Sequence, residues 1–304
     1  MIYTLGETVY DIVFKNAIPQ KSLPGGSALN TSVSVGRVAK DVCFISELGN
    51  DYVAQIIIDF LADNNVNTDY ITRYDCNTSI ALAFLNEQND ASYIFHKNLP
   101  LQRKLTLPII KRGDVIIFSS SFAVNMQIRQ QLMEFLISAR NEGAIIIYDP
   151  NVRIKSTDDK EKLVALMREN IAIAHIVKGS DDDFAAIYNE SLGSSVFEKI
   201  GGEKVLFYTK NKEGAEVHTS KSMFDSKAMN IIPLSTIGAG DNFTAAILYM
   251  LKEHSISTID LLINNQALLH DILELGISFA GNVCQSFDNF IDFDFAQSIR
   301  EVSK

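Results

Sequence analysis

The sequence has few cysteines, no excess of basic residues and no long apolar run, and each of these absences excludes a class of protein. The three cysteines, Cys43, Cys76 and Cys284, are an odd number without close pairing, so they indicate neither a disulfide framework nor a zinc site. The net charge of −10, from 27 basic and 37 acidic residues, argues against a nucleic-acid-binding protein. No apolar run approaches the roughly 20 residues that span a bilayer, so we expect no membrane segment.

Several catalytic and targeting signatures are also absent. The lack of GxxxxGK[ST] argues against a P-loop ATPase, and the lack of GxGxxG after the first predicted strand argues against a nicotinamide enzyme. There is no HExxH motif, and the five scattered histidines accompany no nucleophile signature. Residues 1–7 lack the basic and apolar regions of a secretory signal peptide. Together with the unpaired cysteines, these features predict a cytoplasmic protein.

Short apolar segments alternate with amphipathic segments along the chain. The first kind predicts strands at residues 2–5, 42–46, 115–119, 144–148, 173–177 and 204–209. The second kind predicts helices at residues 28–38, 53–64, 126–141, 160–169, 182–188, 239–251 and 259–286. Because several strands are apolar on both faces, we expect a doubly wound α/β fold, with a mostly parallel sheet flanked by helices. We expect the 304 residues to form a single domain.

Two segments interrupt this alternation. Residues 10–14 predict a strand too soon after the first one, and residues 79–85 and 92–96 predict a hairpin around the turn-forming sequence NEQND. We therefore expect small β elements inserted at about residues 10–20 and 72–100. Such elements are often a lid over an active site, and an edge decoration of the main sheet is the alternative.

The strongest local motif is STIGAGDNF at residues 235–243. Small residues precede an amphipathic helix there, so uncovered backbone N–H groups and the helix dipole predict an anion site. Gly238 and Gly240 would let a phosphate approach the backbone closely. Asp241 lies in the first helical turn, where its carboxylate could accept a proton from a substrate hydroxyl. A glycine-rich turn capped by an aspartate is the simpler interpretation.

Two further motifs supply polar groups. PGGSALN at residues 24–30 opens a helix in which Gly26 would allow close approach of a ligand and Asn30 could hydrogen-bond a polyol. A helix start capped by Ser27 is the alternative. DPNVR at residues 149–153 follows a buried strand, and the carboxyl ends of such strands face the ligand crevice. Its acid, amide and arginine indicate phosphate or sugar contacts, unless the segment is a solvent-exposed turn.

In this order and at these distances, the motifs resemble those of the ribokinase-like (PfkB) carbohydrate kinase family, and within it most closely the fructokinases. The resemblance extends nearly end to end. It comprises LGE at 5–7, GGSALN at 25–30, ELGND at 47–51, DPNVR at 149–153, KGSDDD at 178–183, TKNKEG at 209–214 and GAGD at 238–241. It implies the family's doubly wound sheet with a small β lid, and transfer of the γ-phosphoryl group of ATP to a sugar hydroxyl.

The resemblance also implies a catalytic role for the matched residues of two motifs. Asp241 would be the general base, and the amides of Ala239, Gly240 and Asp241, in a loop shaped by Gly238, would form the anion hole. Arg153 would contact the phosphoryl oxygens or the sugar.

The resemblance assigns the other matched residues to one or the other of the two substrates, the sugar and ATP. The sugar side would consist of Asp11, Gly26, Asn30 and Arg153. The ATP side would consist of Ser180, Asp183, Thr209, Gly214, Gly240 and Asn282. Magnesium (Mg²⁺) would enter with ATP, held by phosphates and water more than by protein, with Asp183 as its protein ligand.

Three positions depart from the family pattern. Ser235 stands where the family has an acid that helps to arrange a monovalent-cation site, so a requirement for K⁺ is left open. Asp183 replaces the longer acid of the NxxE motif. Asn211 replaces the first glycine of TxGxxG, and asparagine tolerates a left-handed backbone better than most residues.

The sequence leaves three functional hypotheses. The first is an ATP-dependent sugar kinase that acts on fructose. The second keeps the fold but changes the acceptor to 2-keto-3-deoxygluconate or a nucleoside. The cations available for the keto acid would be Lys97, Arg103 and Arg153, and the aromatic walls available for a base would be Phe14, Tyr93 and Phe95. The third is a non-catalytic sugar- or nucleotide-binding relative. In each case we expect no nucleic-acid or membrane partner, and a homodimer formed through the lid strands.

Overall fold

The computed structural model describes residues 1–39, 41–86, 91–151 and 159–302. Its strands are β1 (Ile2–Leu5), β2 (Val9–Lys15), β3 (Ile18–Gly25), β4 (Val42–Gly49), β5 (Val66–Asn67), β6 (Ile71–Tyr74), β7 (Ile80–Leu85), β8 (Ala91–His96), β9 (Val115–Ser119), β10 (Ile145–Asp149), β11 (Ile176–Ser180), β12 (Val205–Thr209), β13 (Ala215–His218) and β14 (Met223–Ser226). Its helices are α1 (Ser27–Val38), α2 (Tyr52–Asp63), α3 (Arg129–Asn141), α4 (Lys160–Ile173), α5 (Asp181–Tyr188), α6 (Gly193–Lys199), α7 (Ala239–Glu253), α8 (Ile259–Ile263), α9 (Gln266–Cys284) and α10 (Phe293–Val302).

The main sheet of the described residues has ten strands. They follow the order β14-β13-β12-β11-β10-β9-β1-β4-β5, and β6 also pairs with β4. The strands from β12 to β5 run parallel, and β13 and β14 add an antiparallel edge. The predicted mostly parallel sheet is therefore confirmed.

Helices cover both faces of this sheet because successive strand residues point to opposite sides. In β10, Ile145 and Ile147 pack in the core beneath α1, α2, α7 and α9, whereas Ile146 and Tyr148 pack with α3, α4, α5 and α6. Because these strands are buried on both faces, they appear in the sequence as continuous apolar segments.

Two predicted boundaries are wrong. The strand predicted at residues 173–177 begins only at Ile176, because α4 continues to Ile173 and buries that residue as part of a helix. The helix predicted at residues 259–286 is two helices, α8 and α9. Asn265 separates them as the N-cap of α9, and its side chain accepts a hydrogen bond from the Leu268 N–H. An asparagine in this position satisfies the first free N–H groups of the new helix.

Four strands form a second, smaller sheet in the order β3-β2-β7-β8. The strand predicted at residues 10–14 and the predicted hairpin are confirmed as β2, β7 and β8, although most of the hairpin turn, residues 87–90, lies outside the described residues. β3 was not predicted, because Pro19 and Pro24 are typical of turns. Its place at the edge of the sheet explains why it tolerates two prolines.

The register of the small sheet gives it two distinct faces. Asp11 pairs with Ala81, which pairs with Phe95, so these residues share one face. Ile12, Leu82 and Ile94 are likewise aligned on the other face. The first face is the covered one, because Ala81 is fully buried there, whereas Ile94 on the other face is 52% exposed. Just after β8, Lys97 forms an ion pair of 2.8 Å with Glu7, which follows β1.

Helix α9 is long and apolar enough to cross a membrane, judged by length and composition alone. Its residues Leu269, Ile272 and Leu273 are fully buried in the protein core, where α9 packs against α7. This is the packing of a core helix.

Candidate active site

Helices α1 and α7 begin side by side at the carboxyl edge of the main sheet. Each follows a glycine with positive φ, which is 126° at Gly26 and 83° at Gly238. An added Cβ would lie 2.5 Å from the Glu7 carbonyl oxygen at Gly26, and 2.7 Å from the Asn289 carbonyl oxygen at Gly238. Both loops therefore need glycine for backbone conformation and for space.

The Asp241 carboxylate lies in the first turn of α7 and is held by three side-chain donors. Oδ1 accepts hydrogen bonds from the Ser27 hydroxyl at 2.6 Å and the Asn151 amide at 3.2 Å. Oδ2 accepts one from the Asn30 amide at 2.9 Å. Asp241 is only 5% exposed, and these contacts fix the orientation of its carboxylate. An acid held in this way can accept a proton from a hydroxyl that reaches it.

The GAGD loop, residues 238–241, consists of the N-cap Gly238 and the first residues of α7, and it presents backbone N–H groups beside this carboxylate. The Ala239 N–H donates to the Thr236 carbonyl oxygen at 3.3 Å, whereas the Gly240 N–H has no acceptor among the described residues. An uncovered N–H at the start of a 15-residue helix favours an anion. The predicted anion hole thus has a donor available at Gly240, while the Ala239 donor would first have to leave Thr236.

A buried ion pair lies beneath the same loop. Lys178 Nζ is 2.9 Å from Asp149 Oδ2, and their side chains are 4% and 2% exposed. The Thr244 hydroxyl lies 3.1 Å from both Asp149 Oδ2 and the Gly240 carbonyl oxygen, which connects the pair to α7. Burial raises the pKa of Asp149 to about 6, against the opposing effect of Lys178. Burial lowers the pKa of Lys178, but its carboxylate neighbours, Asp149 foremost, outweigh this and raise it overall.

The predicted sugar-binding residues flank Asp241. Asn30 uses its amide nitrogen on Asp241, and its buried Oδ1 has no hydrogen-bond partner among the described residues. Asp11 lies on β2 with its carboxylate against Gly25, where an added Cβ would collide with it. Burial raises the pKa of Asp11 to about 6, and Lys21 opposes that shift. Gly26 follows Gly25 directly, and its carbonyl oxygen accepts a hydrogen bond of 2.9 Å from the Asn30 N–H, so the chain of contacts from Asp11 leads through Gly26 and Asn30 to Asp241.

The predicted ATP-side residues have structural contacts of their own. Ser180 and Asp183 form a capping box at the start of α5, with the Asp183 carboxylate 2.9 Å from the Ser180 N–H. The Thr209 hydroxyl donates to the Gly179 carbonyl oxygen at 3.3 Å. Gly214 is buried against the Ser226 carbonyl oxygen and has φ of 101°.

Asn282 is also engaged elsewhere. Its amide donates to Asp292 Oδ2 at 2.7 Å and accepts from the Asp292 N–H at 3.1 Å. These contacts tie α9 to the segment before α10. A nucleotide contact for Asn282, like those for Ser180, Asp183, Thr209 and Gly214, stays a prediction.

Two further predictions from the sequence concern Arg153 and the metal ion. Arg153 lies outside the described residues, in the gap at 152–158. Within the described ranges, no group of three or more His, Cys, Asp or Glu side chains forms a ready-made metal site.

Sequence reasoning missed the roles of several residues. Ser27 was considered only as a helix cap, yet its hydroxyl contacts Asp241. Asn151, the amide of DPNVR, is predicted from the sequence to contact phosphate or sugar, and its contacts with Ser27 and Asp241 were not predicted. Lys178 was part of a matched segment without a role. The feature of the sequence that could have indicated its role is a lysine in the middle of a buried parallel strand. A buried charge there requires a partner of opposite charge, which a neighbouring strand can provide.

Comparison with known proteins agrees with this architecture. The family model of the pfkB family carbohydrate kinases matches residues 2–288. The "Probable fructokinase-6, chloroplastic" of Arabidopsis thaliana is 27% identical over 248 residues, which cover 76% of this chain but only 63% of that longer relative.

Solved structures share the whole fold. A fructokinase of Vibrio cholerae O395, crystallised with fructose, ADP and a calcium ion, has a TM-score of 0.83 at 19% identity and covers 98% of both chains. Aminoimidazole riboside kinase of Salmonella enterica, with its riboside and an ATP analogue, has a TM-score of 0.82 at 19% identity and covers 100% of this chain and 99% of its own. At such identities the structures establish the ribokinase-like fold. With the family match over nearly the entire length, they show that this chain belongs to the pfkB family of carbohydrate kinases.

Proposed function

We propose that the protein is an ATP-dependent kinase that phosphorylates a hydroxyl of a small sugar, with fructose as the first candidate. The observation that carries the proposal is the Asp241 carboxylate, held by Ser27, Asn30 and Asn151 beside the Gly240 N–H. A proton acceptor and an anion-stabilising donor side by side are the two groups that phosphoryl transfer to an alcohol requires.

The reaction follows from this arrangement. The sugar hydroxyl replaces the Ser27 hydroxyl near Asp241 Oδ1 and gives its proton to the carboxylate. The sugar oxygen then forms a bond to the γ-phosphorus of ATP, while the bond from that phosphorus to the β-γ bridging oxygen breaks and ADP leaves. Amides at the start of α7 stabilise the charge that develops on the transferred group. Asn30 Oδ1, which lacks a partner among the described residues, would accept a hydrogen bond from a second hydroxyl.

A metal ion fits this scheme if it binds to the protein as a complex with ATP. Mg²⁺ prefers oxygen ligands and keeps several waters, so it needs few protein groups. Asp183 would be its protein ligand, through the carboxylate oxygen that the capping box with Ser180 leaves available. When bound, the ion would neutralise phosphate charge.

The choice of sugar is supported by relatives and by the charges near the lid. Relatives of this chain are named fructokinases. Lys97 forms an ion pair with Glu7, and the buried Arg103 forms one of 3.1 Å with Glu47. Lys97 is therefore already paired with a carboxylate, which makes it poorly placed to bind that of a keto acid and favours a neutral sugar. Arg103 keeps Nε and one terminal nitrogen without a partner among the described residues, so the keto acid stays an alternative.

A riboside is the second candidate. Tyr93 and Phe95 stack at 5.8 Å on the same face of the small sheet as Asp11, so an aromatic wall lies on the side of the predicted sugar site. Aromatic rings bind a heterocyclic base by stacking. The fold similarity to a riboside kinase is consistent with this alternative.

The small sheet would act as the lid. Closure over the sugar would exclude water, which otherwise competes for the phosphoryl group. We propose that the protein works in the cytoplasm as a dimer formed through the outer face of this sheet. Fructose binding should then slow hydrogen exchange in residues 79–97, and unchanged exchange there would contradict the lid.

A coupled ADP-release assay tests the function. Purified protein with ATP and Mg²⁺ is offered fructose, ribose, 2-keto-3-deoxygluconate and adenosine, with and without added K⁺. We expect the highest kcat/KM for fructose. A preference for adenosine would support the riboside alternative. The absence of ADP release with every acceptor would reject the kinase assignment and favour a non-catalytic binding protein.

A further inference from the structure

The buried ion pair of Lys178 and Asp149 lies directly beneath the GAGD loop, residues 238–241. A Cβ added to Gly240 would lie 2.8 Å from Lys178 Nζ, so the ammonium group touches the underside of the loop. The Asp149 end of the pair lies on the neighbouring strand β10 and contacts α7 through the Thr244 hydroxyl. Of the two charged groups, the ammonium group is the one that directly adjoins Gly240, whose backbone would receive phosphate.

Lys178 is also the cation among three carboxylates. Besides Asp149, its charge interacts favourably with Asp183 and Asp241. Its ammonium group makes one hydrogen bond, to Asp149, among the described residues, although it is 4% exposed. A buried cation with so few hydrogen bonds is costly unless surrounding negative charge stabilises it.

An anionic nucleotide adds further negative charge at this place. The protein as a whole carries −10, and three acids interact with Lys178 itself, so the long-range field opposes a nucleotide. A fixed positive charge in a water-poor interior acts strongly over a few ångströms. Uncovered amides supply partial charges only, so a full charge beneath them strengthens the site substantially.

We propose that Lys178 is a positioning residue whose buried ammonium group, anchored by Asp149, supplies the fixed positive charge beneath the Gly240 loop and orients the loop for nucleotide phosphate. The inference rests on the proposed function for the identity of the anion. It adds a role that the loop amides and Asp241 do not perform.

The test removes the pair without leaving an unpaired buried charge. The double variant Lys178→Met/Asp149→Asn keeps the side-chain volumes close to the original. Its matched control is Lys252→Met/Asp41→Asn, which removes a second Lys–Asp pair, with Lys252 also on α7 but in its last turn and at the surface. For each protein we would measure the thermal unfolding midpoint, the Kd for ADP by calorimetry, and kcat with fructose.

We expect the Lys178 double variant to fold, to bind ADP about tenfold more weakly and to lose at least about tenfold in kcat, while the control keeps wild-type values. A folded double variant with wild-type ADP affinity and kcat would overturn the proposal and leave the pair a purely structural one. If the double variant does not fold, Lys178→Gln/Asp149→Asn, whose amides can hydrogen-bond each other, takes its place.

The same data separate this proposal from the kinase assignment. Wild-type protein that binds ADP but phosphorylates no sugar would reject the assignment, while the ADP affinities would still decide the role of Lys178. Wild-type protein that binds no ADP would reject both.

Discussion

Asn30 and Asp241 are 211 residues apart in the chain, yet the Asn30 amide donates a hydrogen bond of 2.9 Å to the Asp241 carboxylate. The contact joins the first turns of α1 and α7. Thr31 strengthens the junction, because its hydroxyl donates to the Asp241 carbonyl oxygen at 3.0 Å. The predicted sugar-binding helix and the predicted catalytic helix are thereby fixed against each other.

Replacing Asp241 by asparagine should remove the proton acceptor and keep the shape of the site. We expect Asp241→Asn to lower kcat with fructose by roughly 10²–10⁴, the usual contribution of a general base. The Kd for ADP, measured by calorimetry, should change little, since the backbone amides remain. A variant with kcat within several-fold of wild type would show that another group takes the proton.

A methyl group at Gly238 should disrupt the anion loop. The residue has φ of 83°, and an added Cβ would lie 2.7 Å from the Asn289 carbonyl oxygen. We expect Gly238→Ala to weaken ADP binding and to lower kcat, each by at least about tenfold, because the backbone N–H groups of the loop would no longer point toward the phosphate.

Gly202→Ala is the matched control. Gly202 also has positive φ, 64°, but no atom within 4 Å of an added Cβ. That variant should lose about 1 kcal/mol of stability, measured by urea unfolding, and keep its ADP affinity. Equal loss of ADP affinity in both variants would attribute the effect to general destabilisation and not to the loop.

The sequence was informative wherever a local pattern determines the outcome. GAGD and GGSALN each combine glycine with an amphipathic segment, and both do start helices with positive-φ glycines, at Gly238 and Gly26. The asparagine that separates α8 from α9 was missed because apolar periodicity continues across it, and only the cap at Asn265 marks the break.

Contacts between distant segments could not be predicted in this way. The side chains of Ser27 and Asn151 meet at Asp241 only because β10 lies near the start of α1 in the folded sheet. The burial of Lys178 likewise depends on Asp149, which follows from strand order and not from either local sequence. Strand order is a property of the whole chain, so a single sequence without the fold leaves these partners unassigned.

Replacing Asp11 by asparagine should increase the stability of the protein but weaken its binding of the sugar. Burial raises its pKa to about 6, above the value of about 3.9 in an unfolded chain. Between about pH 3.9 and about pH 6 the unfolded chain has released this proton while the folded protein still holds it, so stability falls as pH rises through that window and is constant above it. Asp11→Asn should therefore be more stable than wild type at pH 8, by about 1–2 kcal/mol after allowance for solvent screening, and nearly equal to it only at about pH 3, below the pKa of the unfolded chain.

Urea unfolding of both proteins across this pH range measures the difference, and the titration of Asp149 cancels because both proteins retain it. The same variant should raise the KM for fructose about 10- to 100-fold at pH 8, since a carboxylate hydrogen bond to the sugar is lost. A stability difference that does not vary with pH would contradict the buried charge, and an unchanged KM would remove Asp11 from the sugar site.

The outer face of the small sheet should hold two copies of the chain together. Phe14 and Phe84 stack there at 5.2 Å, and Phe84 and Ile94 are 38% and 52% exposed. Strands β3 and β8 are also the edges of this sheet, and apolar surface beside an exposed edge favours pairing with another copy. A charge on this face would have to be desolvated in a dimer, so Ile94→Asp should convert a dimer into a monomer, as measured by sedimentation equilibrium.

Ile109→Asp is the control, because Ile109 is 89% exposed and lies outside the small sheet. It should leave the mass unchanged. A monomeric wild-type protein would contradict dimerisation, and a dimer that survives Ile94→Asp would place the interface elsewhere. Since the inner face of the same sheet carries Asp11, a monomeric Ile94→Asp variant should also raise the KM for fructose more than the KM for ATP, because a lid that has lost its partner closes less readily over the sugar.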